Sequence, residues 1–465
     1  MSEIVYDSKM SDAEGLMWRL DKDPHLSSTF GTVTLLDRAP DFDVFKQRLL
    51  RATFAMPRLR QRVQTSPGNL SAPTWVTDGD FDIDSHVRRI ALPKPGTDRQ
   101  LFDLASLLCS DPFDRSRPLW QFTVVEGLRG KRAAIVQKLH HTIADGESGV
   151  QLSLEYLDFE RDAVQPTPLT PDEVDGATED LRDADTVAAD AVRDVLAGTM
   201  RIPLGVAKQV KELLADPAQL PEAGNAAADT FRGIVAQLGD TESAHSPLWN
   251  ERSTRRRLEH ATAPFTETKA AAKVLGGTLN TAFMTIATEA ASRYHSALGN
   301  PVDSLRASMA ISTRTESSGA NAFSLVRLMV PTGDMGIGER FRAIHEATEA
   351  ALAGTSNASL DALAAFASAL PTSLITRLAR QQAQTVDFAT SNVRGAPVPL
   401  YVAGARLLHN IPIGPLSGVA FNLTLLSYDG HLDMGMNTDA AAVTEPDLLR
   451  AHLVAAIADF TAIGS

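Results

Sequence analysis

Hydrophobic positions in the first third of the chain follow two different periods. Alternating or continuous apolar runs at Thr32–Leu36, Trp120–Val125 and Ala134–His141 predict strands, because successive side chains on a strand point to opposite faces. Apolar residues spaced three and four apart at Asp43–Ala55 and Glu147–Leu157 predict helices. This part of the chain is therefore expected to be an α/β unit.

The later part of the chain shows a similar mixture. A helix is predicted over Thr278–Ala297, where apolar residues recur on one side. A last helix is predicted to start at Thr444, whose hydroxyl would cap it, with Pro446 in its first turn. Asp429-Gly430 supplies the positive φ angles of a tight hairpin between two predicted strands. The strands predicted here are Arg306–Ser312, Leu325–Val330, Phe421–Tyr428 and His431–Asn437.

An acidic segment separates the two α/β parts. Between positions 172 and 194, nine acidic residues and two arginines leave a charge of −7, about half of the −13 carried by the whole chain. A segment with this charge cannot bury much surface, so it is predicted to be an exposed linker. The expected division is an N-terminal half at 1–165, a linker at 166–258 and a C-terminal half at 259–465.

Two stretches of this linker have compositions that suit a surface partner. Met200–Leu214 is apolar, with three cations and one acid, which is typical of an interfacial helix but also of a helix packed on a domain. Arg252 and Arg255–Arg257 form a basic cluster that could contact anionic lipid or the phosphates of a substrate, or be solvated.

Composition excludes several classes of protein. The net charge of −13 argues against a nucleic-acid partner, which would need a basic face. The single cysteine, Cys109, excludes an internal disulfide and a metal centre built from cysteines. The Met1 end lacks the pattern of a secretory signal, and no apolar run approaches the ~18 residues of a membrane span. A cytoplasmic location is expected.

The candidate chemistry lies at the end of a predicted strand, where His140 and His141 precede the turn signal Asp145-Gly146. Adjacent strand side chains diverge, so one imidazole can face a cleft while the other is held inside. For the same reason the two histidines cannot readily share a metal ion, and no metal site is expected. An imidazole beside a cleft is the usual acceptor for a proton from a hydroxyl or amine, although a histidine is also often structural.

Other catalytic motifs are absent from the sequence. Gly146–Val150 does not form the G-x-S-x-G motif of a nucleophile elbow, because Val150 occupies the position of the second glycine. No H-E-x-x-H, Walker or G-x-G-x-x-G motif occurs. A histidine base without a protein nucleophile predicts direct transfer, in which the base activates a bound acceptor that attacks an activated donor.

His140–Gly146 resembles the HHxxxDG motif of coenzyme A-dependent acyltransferases. Further blocks resemble the bacterial wax ester synthase/acyl-CoA:diacylglycerol acyltransferase family, and they follow the family order along nearly the whole chain. These blocks are Gly15–Met17, Pro57–Arg60, Arg117–Trp120 (the PLW motif), Gly276–Asn280, Ser391–Ala396, Pro412–Pro415 and Asn422–Tyr428.

The resemblance implies an α/β fold of two chloramphenicol-acetyltransferase-like halves, with mixed sheets flanked by helices and a tunnel between the halves. It implies that His141 is the general base, that His140 supports it, and that Asp145 holds the loop. Gly146 would leave space beside the tunnel. Asn280 would contribute to the site or support it from behind, unless it serves only to cap its helix.

The resemblance also implies a reaction. A long-chain acyl group would move from acyl-CoA, a substrate, to diacylglycerol, giving triacylglycerol, or to a fatty alcohol, giving a wax ester. No cofactor is expected, and such apolar substrates imply a peripheral position on a membrane or lipid droplet.

Two alternatives remain open from the sequence. Thr281 replaces an aspartate of the family pattern, and Arg394 and Ala396 replace prolines, so the chain could be a catalytically weak lipid-binding or lipid-droplet protein of the same fold. Peptide-synthesis condensation domains share HHxxxDG, so a condensation-type enzyme that uses an acyl carrier protein is the other alternative.

Overall fold

The structure is a computed structural model that describes residues 8–65, 72–144, 146–165, 167, 169, 246–312, 323–354 and 372–464. The acidic run at 172–194 and the Met200–Leu214 segment lie outside the described residues. Within the described part of the chain, no helix is both long and apolar enough to cross a bilayer.

Two six-stranded sheets and a two-stranded ribbon make up the described β structure. The strands are β1 (Thr29–Leu36), β2 (Gln61–Gln64), β3 (Thr74–Thr77), β4 (Val87–Ala91), β5 (Trp120–Glu126), β6 (Ala133–His140), β7 (Arg256–Pro264), β8 (Ser304–Ser312), β9 (Phe323–Pro331), β10 (Phe388–Arg394), β11 (Tyr401–Val402), β12 (Ala405–Ile413), β13 (Phe421–Tyr428) and β14 (His431–Asp439). The helices are α1 (Asp12–Leu20), α2 (Phe42–Ala55), α3 (Asp98–Ser110), α4 (Gly146–Leu154), α5 (Phe265–Val274), α6 (Leu279–Ala297), α7 (Ile337–Gly354), α8 (Thr372–Ala383) and α9 (Pro446–Thr461).

The first sheet has the order β11-β12-β1-β6-β5-β4. Every residue of β6 is buried, and five of its eight residues are apolar. The prediction of strands β1, β5 and β6 is confirmed, but β6 ends at His140 and not at His141. It ends there because the Ile143 amide donates to the His140 carbonyl oxygen and closes a turn.

The second sheet has the order β7-β14-β13-β10-β8-β9. The predicted hairpin between β13 and β14 is confirmed, with φ angles of 41° at Asp429 and 79° at Gly430. Helix α6 lies in the core of this half, as its apolar spacing predicts. The N-terminal cap predicted for the last helix is wrong, because Pro446 occupies the first position of α9 and places the cap on Glu445 rather than Thr444.

A strand from the C-terminal part of the sequence crosses into the first sheet. β12 pairs antiparallel with β1, with Gly31 opposite Ile413, although the rest of the C-terminal part builds the second sheet. β12 also packs closely on β14, since a Cβ atom built on Gly435 would lie 1.7 Å from the Pro412 carbonyl oxygen. The two sheets are therefore joined by backbone contact at this crossing.

The predicted basic cluster at Arg252 and Arg255–Arg257 is mostly used inside the protein. Arg256 lies 3.2 Å from a carboxylate oxygen of the buried Asp439. Arg257 donates to both carboxylate oxygens of Asp447, and Arg252 donates to the Gly418 carbonyl oxygen. These contacts fix the start of β7 against β14 and α9.

Candidate active site

A cavity lies where the two sheets meet. Its volume is about 880 Å³ with the open solvent at its mouth included. β1, β6, β12 and α4 contribute to its wall from one side, and β10 and β13 contribute from the second sheet. The lining residues are Phe30, Gly31, Thr32, Thr34, Ile135, Gln137, His141, Gly149, Val150, Ser153, Tyr156, Leu157, Ser391, Val393, Val402, Leu407, Asn410, Pro412, Ile413, Gly414, Pro415, Thr424 and Leu426.

His141 lies in this lining, directly after the end of β6. Its backbone amide donates to the Ser28 carbonyl oxygen at 3.1 Å, which ties the turn to the start of β1. Its ring packs against Phe30 with a centroid separation of 4.5 Å. The imidazole is thus held by an aromatic neighbour on one side and borders the cavity.

His140 has different surroundings and does not line the cavity. The Thr142 amide donates to His140 Nδ1 at 3.2 Å, and the Thr142 hydroxyl lies 2.8 Å from the same nitrogen. Because Nδ1 must accept the amide proton, a neutral ring carries its own proton on Nε2. This Nε2 faces Asp21 Oδ1 at 3.4 Å, so the ring is fixed from both sides.

Asp21 anchors this arrangement from the C-terminal end of α1. Burial alone would raise its pKa, but the neighbouring His140, a hydrogen bond from Ser27 at 2.9 Å and the charge of Arg115 hold the pKa below its ordinary value. Arg115 lies 3.3 Å from the second carboxylate oxygen. Asp21 is consequently ionised at neutral pH and supports the turn that carries His141.

The Asp21→Asn variant should be less stable than the wild type by about 1–3 kcal/mol at pH 7, because Arg115 and Ser27 lose a charged partner in a partly buried place. Urea unfolding measures the difference. Since the folded pKa of Asp21 is depressed, its contribution is present above the unfolded value of about 3.9 and is lost as the pH falls through the folded value. The gap between the two proteins should therefore close in acid. An unchanged gap at low pH, or a similar loss in the exposed Asp80→Asn control, would contradict this role.

Asn280 lies on the second residue of α6, outside the cavity lining. Its side chain accepts a hydrogen bond from the Asn392 side chain on β10, so two of the family-like blocks meet here. The helix is capped by Thr278, whose hydroxyl accepts a hydrogen bond from the Thr281 amide. The alternative interpretation of Asn280 as the helix cap is therefore wrong. Thr281, which departs from the family pattern, is buried with its hydroxyl 3.3 Å from His345 Nδ1.

The remaining motif residues surround the start of α4. Asp145 lies outside the described residues. Gly146 is the first residue of α4, and Gly149 and Val150 on the same helix line the cavity. The turn after His141 therefore leads into a helix that forms part of the cavity wall.

Several residues of the site could not be recognised in the sequence. Asp21 and Phe30 follow no motif, and they are placed beside His140 and His141 only by the fold. Asn410 and Pro412 reach the cavity because β12 crosses between sheets. The family-like block Pro412–Pro415 marks this segment in the sequence, but it does not indicate which strand the segment pairs with.

The fold of this chain matches the folds of a solved acyltransferase and of a solved condensation domain. A wax ester synthase/diacylglycerol acyltransferase from Marinobacter aquaeolei VT8 superposes with a TM-score of 0.66 and 21% identity, covering 98% of this chain and 100% of that one. The first condensation domain of the calcium-dependent antibiotic synthetase gives a TM-score of 0.60 and 14% identity, covering 98% and 96%. The predicted fold class is confirmed.

The sequence comparisons define the family. Residues 10–283 match the wax ester synthase/diacylglycerol acyltransferase catalytic domain, and residues 319–460 match the C-terminal domain of the same family. A provisionally named diacylglycerol O-acyltransferase of Mycobacterium tuberculosis is 31% identical over 479 residues, covering 100% of this chain and 94% of that protein. A second protein of that organism with a similar provisional name is 28% identical, covering 97% and 94%. The chain belongs to the wax ester synthase/diacylglycerol acyltransferase family.

Proposed function

We propose that this protein transfers a long-chain acyl group from acyl-CoA to diacylglycerol, with His141 as the general base. The observation that carries the proposal is the His141 ring in the lining of the cavity between the sheets, in a chain of this family. Fatty alcohols, which would give wax esters, are further candidate acceptors.

In the proposed reaction, His141 takes the proton of the acceptor hydroxyl as that oxygen attacks the thioester carbonyl. The carbon–sulfur bond then breaks, the new ester is released, and the coenzyme A sulfur takes the proton back from the imidazolium. The intermediate oxyanion needs a hydrogen-bond donor. Thr32 and Ser391, which carry hydroxyl groups, are among the residues of the same lining. The thioester is already activated, so the proposal includes no resident cofactor.

The chemistry of the lining favours an uncharged lipid acceptor. Apart from the imidazole, the lining side chains are uncharged, and many are aliphatic or aromatic. Such a wall would penalise a charged acceptor such as an ammonium group, because an unpaired charge is costly in an apolar environment. A neutral alcohol with long acyl chains can be buried against the same lining without that cost in free energy.

The function is tested by offering labelled acyl-CoA in parallel to diacylglycerol, hexadecanol and a short alcohol. Labelled triacylglycerol as the main product is the expected result, with wax ester second. Acyl-chain binding without turnover on any alcohol would favour a lipid-binding protein instead. Transfer only from an acyl carrier protein would favour a condensation-type enzyme.

We also propose that the protein binds peripherally to a membrane or lipid-droplet surface. Its proposed substrates partition into such surfaces. The net charge of −13 opposes simple adsorption to anionic lipid, so the proposed contact is apolar rather than electrostatic. Phe159 is 69% exposed and lies two residues from Leu157 in the cavity lining. Met200–Leu214 has the composition of an interfacial segment.

Deleting Met200–Leu214 should lower the fraction of protein that sediments with diacylglycerol-containing vesicles, and Phe159→Ser should lower it as well, because both remove apolar contact with lipid. Val274, exposed to 68% on the other half of the molecule, provides the matched control Val274→Ser. Unchanged sedimentation of the deletion and Phe159→Ser variants would reject this association.

A further inference from the structure

Two histidines and an aspartate meet at the junction of the two sheets, outside the cavity lining. His260 lies on β7, Asp433 on β14 and His409 on the crossing strand β12. One ring nitrogen of each histidine and one carboxylate oxygen of Asp433 lie within 4.8 Å of one another. Because β12 belongs to the first sheet and the other two strands to the second, this cluster, here called the junction triad, bridges both sheets.

The Asp433 carboxylate is the centre of the junction triad and is fully buried. Its Oδ1 atom lies 2.9 Å from His409 Nδ1, 3.1 Å from His260 Nε2 and 3.1 Å from the Thr262 hydroxyl. Its Oδ2 atom accepts the Asn410 amide proton at 2.8 Å. One oxygen is thus oriented by the backbone, while several side chains converge on the other. This division is typical of a ligating carboxylate supported by its surroundings.

The negative charge of the buried Asp433 carboxylate also favours a bound cation. The ion pairs that Asp433 forms are with His260 and His409, which are positive only when protonated. A divalent cation held by the two ring nitrogens and the carboxylate would give this buried charge a permanent counter-ion.

We propose that the junction triad is a binding site for Zn²⁺ or a similar divalent transition-metal ion, with His260 Nε2, His409 Nδ1 and Asp433 Oδ1 as ligands. Two imidazoles and one carboxylate are a donor set that zinc takes, with a fourth position left for water. The Thr262 hydroxyl lies 3.0 Å from His260 Nε2 and 3.1 Å from Asp433 Oδ1, next to two of the proposed ligand atoms.

The spacing of the donors suits such an ion. In a tetrahedral site with bonds of about 2.0–2.1 Å, neighbouring ligand atoms lie about 3.3 Å apart. The two histidine–aspartate distances, 2.9 and 3.1 Å, are close to this value, and the 4.8 Å limit on all distances leaves a small side-chain movement to close the site. His260 and His409 keep 18% and 32% of their side chains exposed, which gives an ion access. The bound ion would tie β12 to β7 and β14, and so hold the two halves together.

The test uses the full chain after dialysis against a chelator. Zn²⁺ is titrated in competition with a chromophoric chelator, and thermal unfolding is followed with and without Zn²⁺. We expect about one ion per chain and a rise in Tm, because the ion binds the folded protein in preference to the unfolded chain. His409→Ala should weaken binding at least tenfold and abolish the rise in Tm, and His260→Ala should do the same. His25→Ala, at a histidine outside the triad, should leave both unchanged.

Two results would overturn the proposal. The first is no Zn²⁺ binding by the wild type in competition with the chromophore. The second is equal affinity and equal Tm shift in the wild type and both triad variants, which would identify an adventitious ion held by other surface groups. The measurement does not involve acyl transfer, so its outcome is independent of the proposed function.

Discussion

Replacing His141 by alanine should lower the turnover of diacylglycerol acylation by about 10²–10⁴-fold, the contribution usual for a positioned general base. An alcohol is a poor nucleophile until its proton has an acceptor, and His141 is the imidazole that borders the cavity. Substrate binding should change little, because the cavity keeps its other lining residues. The loss should therefore appear in kcat rather than in KM, measured with labelled acyl-CoA.

The matched control for this variant is His431→Ala, at an exposed histidine outside the cavity lining. It should retain wild-type turnover. Urea unfolding of both variants separates a catalytic loss from a folding defect, since His141→Ala should unfold close to the wild-type midpoint. A His141→Ala protein with near wild-type turnover would remove the proposed base from the mechanism.

Replacing Gly435 by alanine should destabilise the fold by about 3 kcal/mol, the upper part of the range usual for overpacking. The added Cβ atom would lie 1.7 Å from the Pro412 carbonyl oxygen and 2.9 Å from the carbonyl carbon. The clash is with backbone, so rotation of a side chain cannot relieve it. β12 must move away from β14, and Pro412 in the cavity lining must move with it.

Urea unfolding measures this loss, and acyl transfer by the variant at low temperature should also fall because the cavity wall is displaced. Gly15→Ala on α1 is the control, since its Cβ atom would meet only Pro73 Cδ at an ordinary 3.8 Å. That variant should be as stable as the wild type or more stable, because alanine favours a helix over glycine. Equal stability of Gly435→Ala and wild type would show that the two sheets are not held in contact at this crossing.

The elements that the sequence predicts well are those determined by local pattern. The alternation in β5 and the turn residues Asp429-Gly430 act over a few positions, so their structures follow from nearby residues. The cap of α9 was misplaced by one residue because Pro446 defines the first helical position more strongly than the Thr444 hydroxyl.

The elements that the sequence could not predict depend on partners far away along the chain. β12 pairs with β1, and neither segment contains a signal that identifies the other. The same holds for the site. His140 and His141 could be recognised from their motif, but the Asp21 carboxylate and the Phe30 ring that fix them are brought there by tertiary structure.

The most direct test is a crystal structure of the wild-type protein with diacylglycerol and a coenzyme A thioether that lacks the reactive carbonyl. We predict that the acceptor hydroxyl oxygen lies about 2.6–3.2 Å from a ring nitrogen of His141, the reach of a general base, inside the cavity between the sheets. A complex in which both ligands bind elsewhere on the molecule and leave His141 without substrate contact would contradict the mechanism.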